Sequence, residues 1–443
     1  MAITFTDSFL DALRDRIDMV ELVSRHVTLK RSGGNWLGLC PFHDEKTPSF
    51  SVRPDRGFYK CFGCGAGGDA IAFLMQIKGA TFPEAVEELA AISGLPLPES
   101  RPVTPEQSRQ RRERQEQYTR MERIARYFSE QLQHPPAEGA RRYLQKRGLS
   151  RRSIERFGIG FAPPGWSGLI DHFAGGRAAL DLLEPLGLVI RKESGNAGYD
   201  RFRNRIIFPI RDLRGRCIAF GGRAMNPEEP KYINSPETVL FNKSRTLFGL
   251  NLAQEAIRRE GSALVVEGYM DVISLAEHGI SNSVAPLGTA LTSDHLQMLW
   301  SRTHRILFCF DGDTAGRKAA WRAAERTLDG LDADRHAGFV FLPDGVDPDD
   351  MVRREGADRM RDRLVNSAHS LRDLLFSKMG EGLDLEGPEG RAATMHRALP
   401  FIERIRDPLL RALYVEEFRS RLHLPESWQP AQGGPGQGGP GQG

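Results

Sequence analysis

Seven acidic residues fall at three places between Ala263 and Asp350: Glu267 with Asp271, Asp311 with Asp313, and Asp347 with Asp349 and Asp350. Carboxylate oxygens are the hard ligands that Mg²⁺ and Mn²⁺ take, and carboxylates crowded together repel one another until a divalent cation relieves them. Two such ions about 3.5 to 4 Å apart activate a hydroxyl and steady the leaving oxygen in phosphoryl transfer. For any single acid here the plainer account is a loop residue or a helix cap. The set favours a metal site because the groups recur at the ends of similar apolar runs. Asp311-Gly312-Asp313 also begins like a calcium loop, but that loop needs a side-chain oxygen at its fifth position and a glutamate at its twelfth. Ala315 and Arg322 stand there instead.

The elements that would position these acids are three short runs, Ala263-Leu264-Val265-Val266, Ile306 to Phe310 and Phe339-Val340-Phe341-Leu342. Each is apolar and β-branched or aromatic enough for a buried strand. Helical patterns separate them, so the spacing predicts a mainly parallel sheet, whose ligands bind beyond the carboxyl ends of its strands. The acids would then share one sheet edge.

A second chemistry lies near the N-terminus. Cys40-Pro-Phe-His43 and Cys61-Phe-Gly-Cys64 are two ligand pairs, each with two residues inside it. Two tight turns carrying such pairs complete a tetrahedron, so Cys40, His43, Cys61 and Cys64 predict one zinc ion in a ribbon. Four protein ligands leave no open position, which makes the zinc structural. Around the pairs stand Lys46, Phe50, Arg53, Arg56, Phe58, Tyr59, Lys60 and Phe62. Such interleaved cations and aromatics suit single-stranded nucleic acid, although alternate aromatics on a strand would form the ribbon's own core.

The stretch from 200 to 245 holds ten Lys or Arg against five Asp or Glu, just ahead of the acidic sheet. Arg201, Arg203 and Arg205 alternate along one predicted strand face, and Gly221-Gly222-Arg223, Lys231 to Pro236 and Lys243 follow. Cations beside a two-metal site are what a polyanionic template and a triphosphate need; a solvated basic face is the plainer account.

The remainder positions these parts. A chain of 443 residues suits about three domains, and a net charge of +3 confines any electropositive surface to local patches. Five cysteines without a signal-like N-terminus point to metal binding in a soluble cytoplasmic protein. Residues 7–27 and 73–95 read as helices, and 101–117 as a charged, flexible linker. Helical spacing in 370–424 predicts a small bundle that packs or meets a partner, and the Pro/Gln/Gly repeats at the end predict a disordered tail.

These residues together resemble the bacterial DnaG-type primases. The two ligand pairs with HDEKTPSF (43–50), then FPIRD (208–212), KYINSPET (231–238), EGYMDV (267–272) and FDGDTAGRKA (310–319) follow the family's order over nearly the whole chain. The resemblance implies a multidomain α/β protein. Its parts are a zinc ribbon over 1–100, the linker, a basic α+β part of an RNA polymerase domain over 118–260, a mainly parallel Toprim core over 261–350, a helical bundle over 351–425 and a tail over 426–443. It implies synthesis of short RNA primers from ribonucleoside triphosphates on single-stranded DNA at replication forks, with two or more Mg²⁺ or Mn²⁺ ions. Glu267, Asp311, Asp313, Asp347 and Asp349 would serve catalysis, the first three as metal ligands. Arg201, Arg203, Arg223, Lys231, Asn234 and Lys243 would hold template, primer or nucleotide. The family's replicative helicase is an expected partner, but its binding domain is expected to be missing here. Strand-cleaving enzymes share Toprim sites, yet topoisomerases add a nucleophilic tyrosine, for which no candidate stands out.

Overall fold

A computed structural model describes residues 5–98, 105–173, 175–193, 197–225, 230–288 and 290–428. The chain divides into two compact units, Met1–Glu113 and Arg114–Gly443. Residues 101–104 of the expected linker and 429–443 of the expected tail lie outside the described residues.

In the first unit, helices α1 (Asp7–Arg16) and α2 (Met19–Ser24) precede an antiparallel sheet, which α3 (Ala70–Lys78) and α4 (Phe82–Ser93) follow. Its strands β1 (Lys30–Ser32), β2 (Asn35–Gly38), β3 (Phe50–Arg53), β4 (Phe58–Cys61) and β5 (Gly67–Gly68) lie side by side in chain order. Strand alternation sorts the aromatics. Phe50 and Tyr59 are fully buried and stack at 5.3 Å, while Phe58 and Phe62 face outward with Lys60.

Helix α5 (Pro105–Gln131), whose residues from Arg114 onward open the second unit, takes up the described part of the stretch expected to be a flexible linker. The arginine-rich segment has no apolar stripe of its own, but good helix formers fill it, and the helix anchored by Met121, Ile124 and Phe128 extends back through it. Next come α6 (Glu138–Lys146), α7 (Arg151–Phe157), β6 (Gly160–Ala162), α8 (Gly168–His172), α9 (Gly176–Leu183) and the hairpin of β7 (Val189–Arg191) and β8 (Gly198–Asp200). Strands β9 (Arg205–Arg211), β10 (Cys217–Ala224) and β11 (Tyr232–Asn234) complete an antiparallel sheet in the order β11-β10-β9-β6.

The alternating strand expected to start at Arg201 starts only at Arg205, because Asn204 takes a left-handed turn at φ 48°. Arg205 itself is buried and donates to the carbonyls of Pro230 and Lys231.

The acid-bearing sheet follows. Helix α10 (Leu250–Glu260) leads to β12 (Ala263–Val265), α11 (Tyr269–Glu277), β13 (Ser283–Val284), α12 (Ser293–Trp300), β14 (Arg305–Phe310), α13 (Thr314–Leu328), β15 (His336–Phe341), α14 (Pro348–Asn366) and β16 (His369–Ser370). The order is β13-β12-β14-β15-β16, parallel except for the last strand. Both faces are covered, which is why the strands read as continuous apolar runs. Along β14, Leu307 and Cys309 join one core with α11 and α14, while Ile306, Phe308 and Phe310 join another with α12 and α13. Helices α15 (Leu371–Gly380), α16 (Pro388–Ile402) and α17 (Pro408–Arg421) pack into that second core through Leu375, Met395, Ile402 and Phe418. The expected terminal bundle is therefore continuous with the sheet's core, and α14 packs on the opposite face. No described helix is long and apolar enough to cross a membrane.

Candidate functional site

The parallel strands β12 and β14 stop beside each other, and the acids begin in the turns that follow. Asp311 N donates to Glu267 Oε1 at 3.0 Å, joining the first two acidic groups. Two glycines shape the second turn. A Cβ on Gly312 would lie 2.1 Å from the Pro343 carbonyl, and one on Gly316 would lie 2.2 Å from the Asp311 carbonyl. Only glycine allows the backbone such an approach, which brings the Asp311–Asp313 turn against the strand that leads to Asp347.

Several acids also cap helices, so the plainer account holds for part of each side chain. Asp313 Oδ1 accepts from Gly316 N at 2.7 Å at the start of α13, and Asp347 Oδ1 accepts from Asp350 N at 2.6 Å at the start of α14. Asp271 Oδ2 accepts from Gly268 N at 2.9 Å. Each of these bonds uses one oxygen and leaves the other carboxylate oxygen for a further partner.

The electrostatics are those of crowded anions. Burial first, then Glu267, Asp347 and Asp313, push Asp311 up to about 7, with Lys231 opposing the rise. Burial also raises Glu267 and Asp347, and it holds Asp271 well above the usual carboxylate range, with Asp311 and Asp347 adding to the effect. Asp311 Oδ1 is buried without a hydrogen-bond partner. A hard cation would satisfy this buried, orphaned carboxylate oxygen and relieve the crowded acids, although among the described residues the oxygens of Glu267, Asp311 and Asp313 do not form a group lying within 4.8 Å of one another.

Asp349 differs from these. It is fully buried and is gripped by Arg147 and by Arg353, the latter at 2.8 Å. Asp350 pairs with Arg353 and lies 3.9 Å from Arg147. The oxygens of Asp347, Asp349 and Asp350 still lie within 4.8 Å of one another. Arg147 was not foreseen, because nothing at the end of α6 distinguishes it from a solvated helix-terminal cation.

The basic residues line the neighbouring antiparallel sheet. Lys231, which precedes β11, opposes the rise of the Asp311 carboxyl. Asn234 Oδ1 accepts from the Tyr269 hydroxyl at 2.5 Å, tying β11 to α11. That ring packs so tightly on β10 that a Cβ on Gly221 would meet it at 2.4 Å. Arg223 lies over the Tyr143 ring at 3.9 Å, and Arg203 over the exposed Trp166 at 4.4 Å. Arg201 is partly buried, with its Nε unpaired. Lys243 donates its backbone N–H to Glu237, and its carbonyl is 2.9 Å from His295 Nε2.

In the first unit, the ligand atoms of Cys40, His43, Cys61 and Cys64 all lie within 4.8 Å of one another. Cys40 and Cys64 sulfurs are 3.7 Å apart, and Cys61 Sγ is 3.8 Å from His43 Nδ1. A tetrahedron with Zn–S bonds of about 2.3 Å has edges of about 3.8 Å, so the set fits zinc. Glu45, to which the sequence reading gave no role, supports it. Its Oε1 accepts from Cys40 N at 2.7 Å, and its Oε2 lies 3.3 Å from His43 Nε2, which leaves Nδ1 to face the thiols.

Comparison with known proteins agrees with this division. Residues 5–104 match the CHC2 zinc finger family, 127–254 the DNA primase catalytic core N-terminal domain, and 261–337 the Toprim domain. The DNA primase of Escherichia coli strain K12 is 45% identical over 421 residues, covering 95% of this chain and 72% of that protein. The chain belongs to the DnaG-type DNA primase family. The DNA primase of Pseudomonas putida is also 45% identical, and this chain spans 65% of its length.

Among solved structures, a DnaG primase catalytic domain bound to ssDNA is similar at 44% identity, with a TM-score of 0.66 over 70% of this chain and 97% of that one. The zinc-binding and RNA polymerase domains of Aquifex aeolicus primase match 94% of this chain and 97% of theirs, at 34% identity and a TM-score of 0.60.

One family expectation is overturned. Residues 375–427 match the DnaB-helicase binding domain of primase, so the view that this chain lacks a helicase-binding domain is wrong. Helical spacing in α15 to α17 reports packing alone and carries no mark of a binding surface.

Proposed function

We propose that this chain is a DNA primase, an RNA polymerase that joins ribonucleotides into short primers on single-stranded DNA. The observation that carries this reading is the unpartnered Asp311 oxygen among Glu267, Asp313 and Asp347, with Lys231 beside it, in the fold of a primase core. Glu267, Asp311 and Asp313 would hold the catalytic cations, Mg²⁺ or Mn²⁺. When bound there, a pair of such ions lowers the pKa of the attacking 3′-hydroxyl and neutralises the triphosphate and the departing pyrophosphate.

The chain's own groups prepare that chemistry. Asp311 N fixes Glu267 through Oε1, so that Oε2 would be the atom offered to a cation. Asp347 adds negative charge from the third turn, and Asp349, locked by Arg147 and Arg353, holds the start of α14 in place. Lys231 and Arg223 would supply the cations that an incoming triphosphate needs. Arg201, Arg203, Asn234 and Lys243 extend the same face for template or primer. The zinc ribbon presents Phe58, Lys60 and Phe62 to template bases and phosphates. The helices matched at 375–427 support a replicative helicase as partner, which would place the protein at replication forks in the cytoplasm.

The test is direct. The protein is incubated with single-stranded DNA, four labelled ribonucleotides and Mg²⁺ or Mn²⁺. Short RNA supports the proposal; cut DNA, or neither product, rejects it.

A further inference from the structure

Five arginines, Arg114, Arg211, Arg214, Arg216 and Arg245, line an open cavity of about 340 Å³, whose lining includes none of the site acids. Arg114 comes from α5, the next three from the β9–β10 hairpin and Arg245 from the loop before α10. The hairpin is set in advance, since Asp212 Oδ1 accepts from Arg214 N and Arg216 N, both at 3.0 Å.

Asp212, the carboxylate in the cavity's lining, already holds Arg216 at 2.7 Å. Glu122 and Asp294 engage Arg211 and Arg245, each at 2.8 Å. Arg114 and Arg214 are exposed and pair with no carboxylate among the described residues. Two guanidinium groups from different elements therefore point free charge at one cleft, an arrangement suited to phosphate oxygens.

The cavity's place in the fold favours a strand over a small anion. Arg205 marks the end of β9 near Lys231 and the acids, and Arg211 marks the other end, six residues or about 20 Å away. Asn242 and Arg245 on the cavity rim flank Lys243 in sequence, so the cavity continues the basic row on that side. We propose that this cavity holds the sugar-phosphate backbone of the single-stranded template at a distance from the acids, independently of base sequence. The inference rests on the primase reading and adds a second anchor to it. Backbone contacts of this kind fix a strand's register without reading its bases.

The test compares wild type with the double variant Arg114→Gln, Arg214→Gln in a salt series. One single-stranded DNA fills only the acidic cleft, and a longer one reaches the roughly 20 Å beyond it. The expected result is weaker binding of the long strand, with its log K against log [salt] slope shallower by about 1.4, two contacts at about 0.7 each. Binding of the short strand and the melting temperature stay unchanged. An unchanged slope on the long strand overturns the inference, as does an equal loss on both strands. A changed affinity for inorganic tripolyphosphate with the long-strand slope unmoved also overturns it, and makes the cavity a small-anion site. If wild type binds neither strand, the primase reading falls as well, which separates that failure from the others.

Discussion

Replacing Asp311 with Asn removes a charge that the fold holds at a cost, so the variant should be the more stable protein when no divalent metal is added. Burial and three neighbouring acids push Asp311 up to about 7, from an ordinary value near 3.9. Three units at about 1.4 kcal/mol each give an upper limit of about 4 kcal/mol. Partial exposure screens much of that, leaving about 1 to 2 kcal/mol. A carboxyl whose folded pKa is raised contributes stability that is full below about pH 4 and is lost as the pH rises through about 7. Wild type and Asp311→Asn should therefore melt alike near pH 4 and separate by pH 8, with the variant higher by roughly 1 to 3 °C. Added Mg²⁺ should raise the wild-type melting temperature and leave the variant's unmoved, because only wild type keeps the ligand. Calorimetry in metal-depleted buffer, with zinc left bound, reads both effects. An Asp311→Asn protein that melts at or below wild type at pH 8, or equal stabilisation of both by Mg²⁺, would refute the reasoning.

Three further outcomes follow from the same geometry. Cys61→Ser should lose zinc and melt the first unit before the second; full zinc content by elemental analysis would refute the ligand set. Gly316→Ala, which places a Cβ 2.2 Å from the Asp311 carbonyl, should cut primer synthesis at least about tenfold while single-stranded DNA affinity holds, because the acid turn must shift. An active variant would show that the turn tolerates movement. Arg203→Ala should weaken template binding and reduce its salt slope by about 0.7, and an unaltered slope would remove Arg203 from the template path.

What could be read from the sequence was whatever depended on local order. Strand ends followed by carboxylates, and ligand pairs with two residues between them, state their own geometry. The runs at Ala263, Ile306 and Phe339 are strands because both faces are covered. Features that depend on distant packing were hidden. Asn204 breaks the alternation expected from Arg201, since a left-handed residue leaves no periodic mark. Arg147 meets Asp349 across 202 positions, and Glu45 reaches back to Cys40 and His43 through a turn. The arginine-rich start of α5 looked like linker because helix formation there is extended from buried residues further along the same helix. The match to a helicase-binding domain at 375–427 lies in a region whose apolar spacing shows only that its helices pack.

Primer synthesis by this chain depends on Glu267, Asp311 and Asp313 holding divalent cations. Mn²⁺ titration followed by electron paramagnetic resonance, on wild type and Asp311→Ala with zinc content tracked, measures this directly. Mn²⁺ should bind wild type and be mostly lost from the variant, with zinc unchanged in both. Equal Mn²⁺ binding by the two proteins would contradict it.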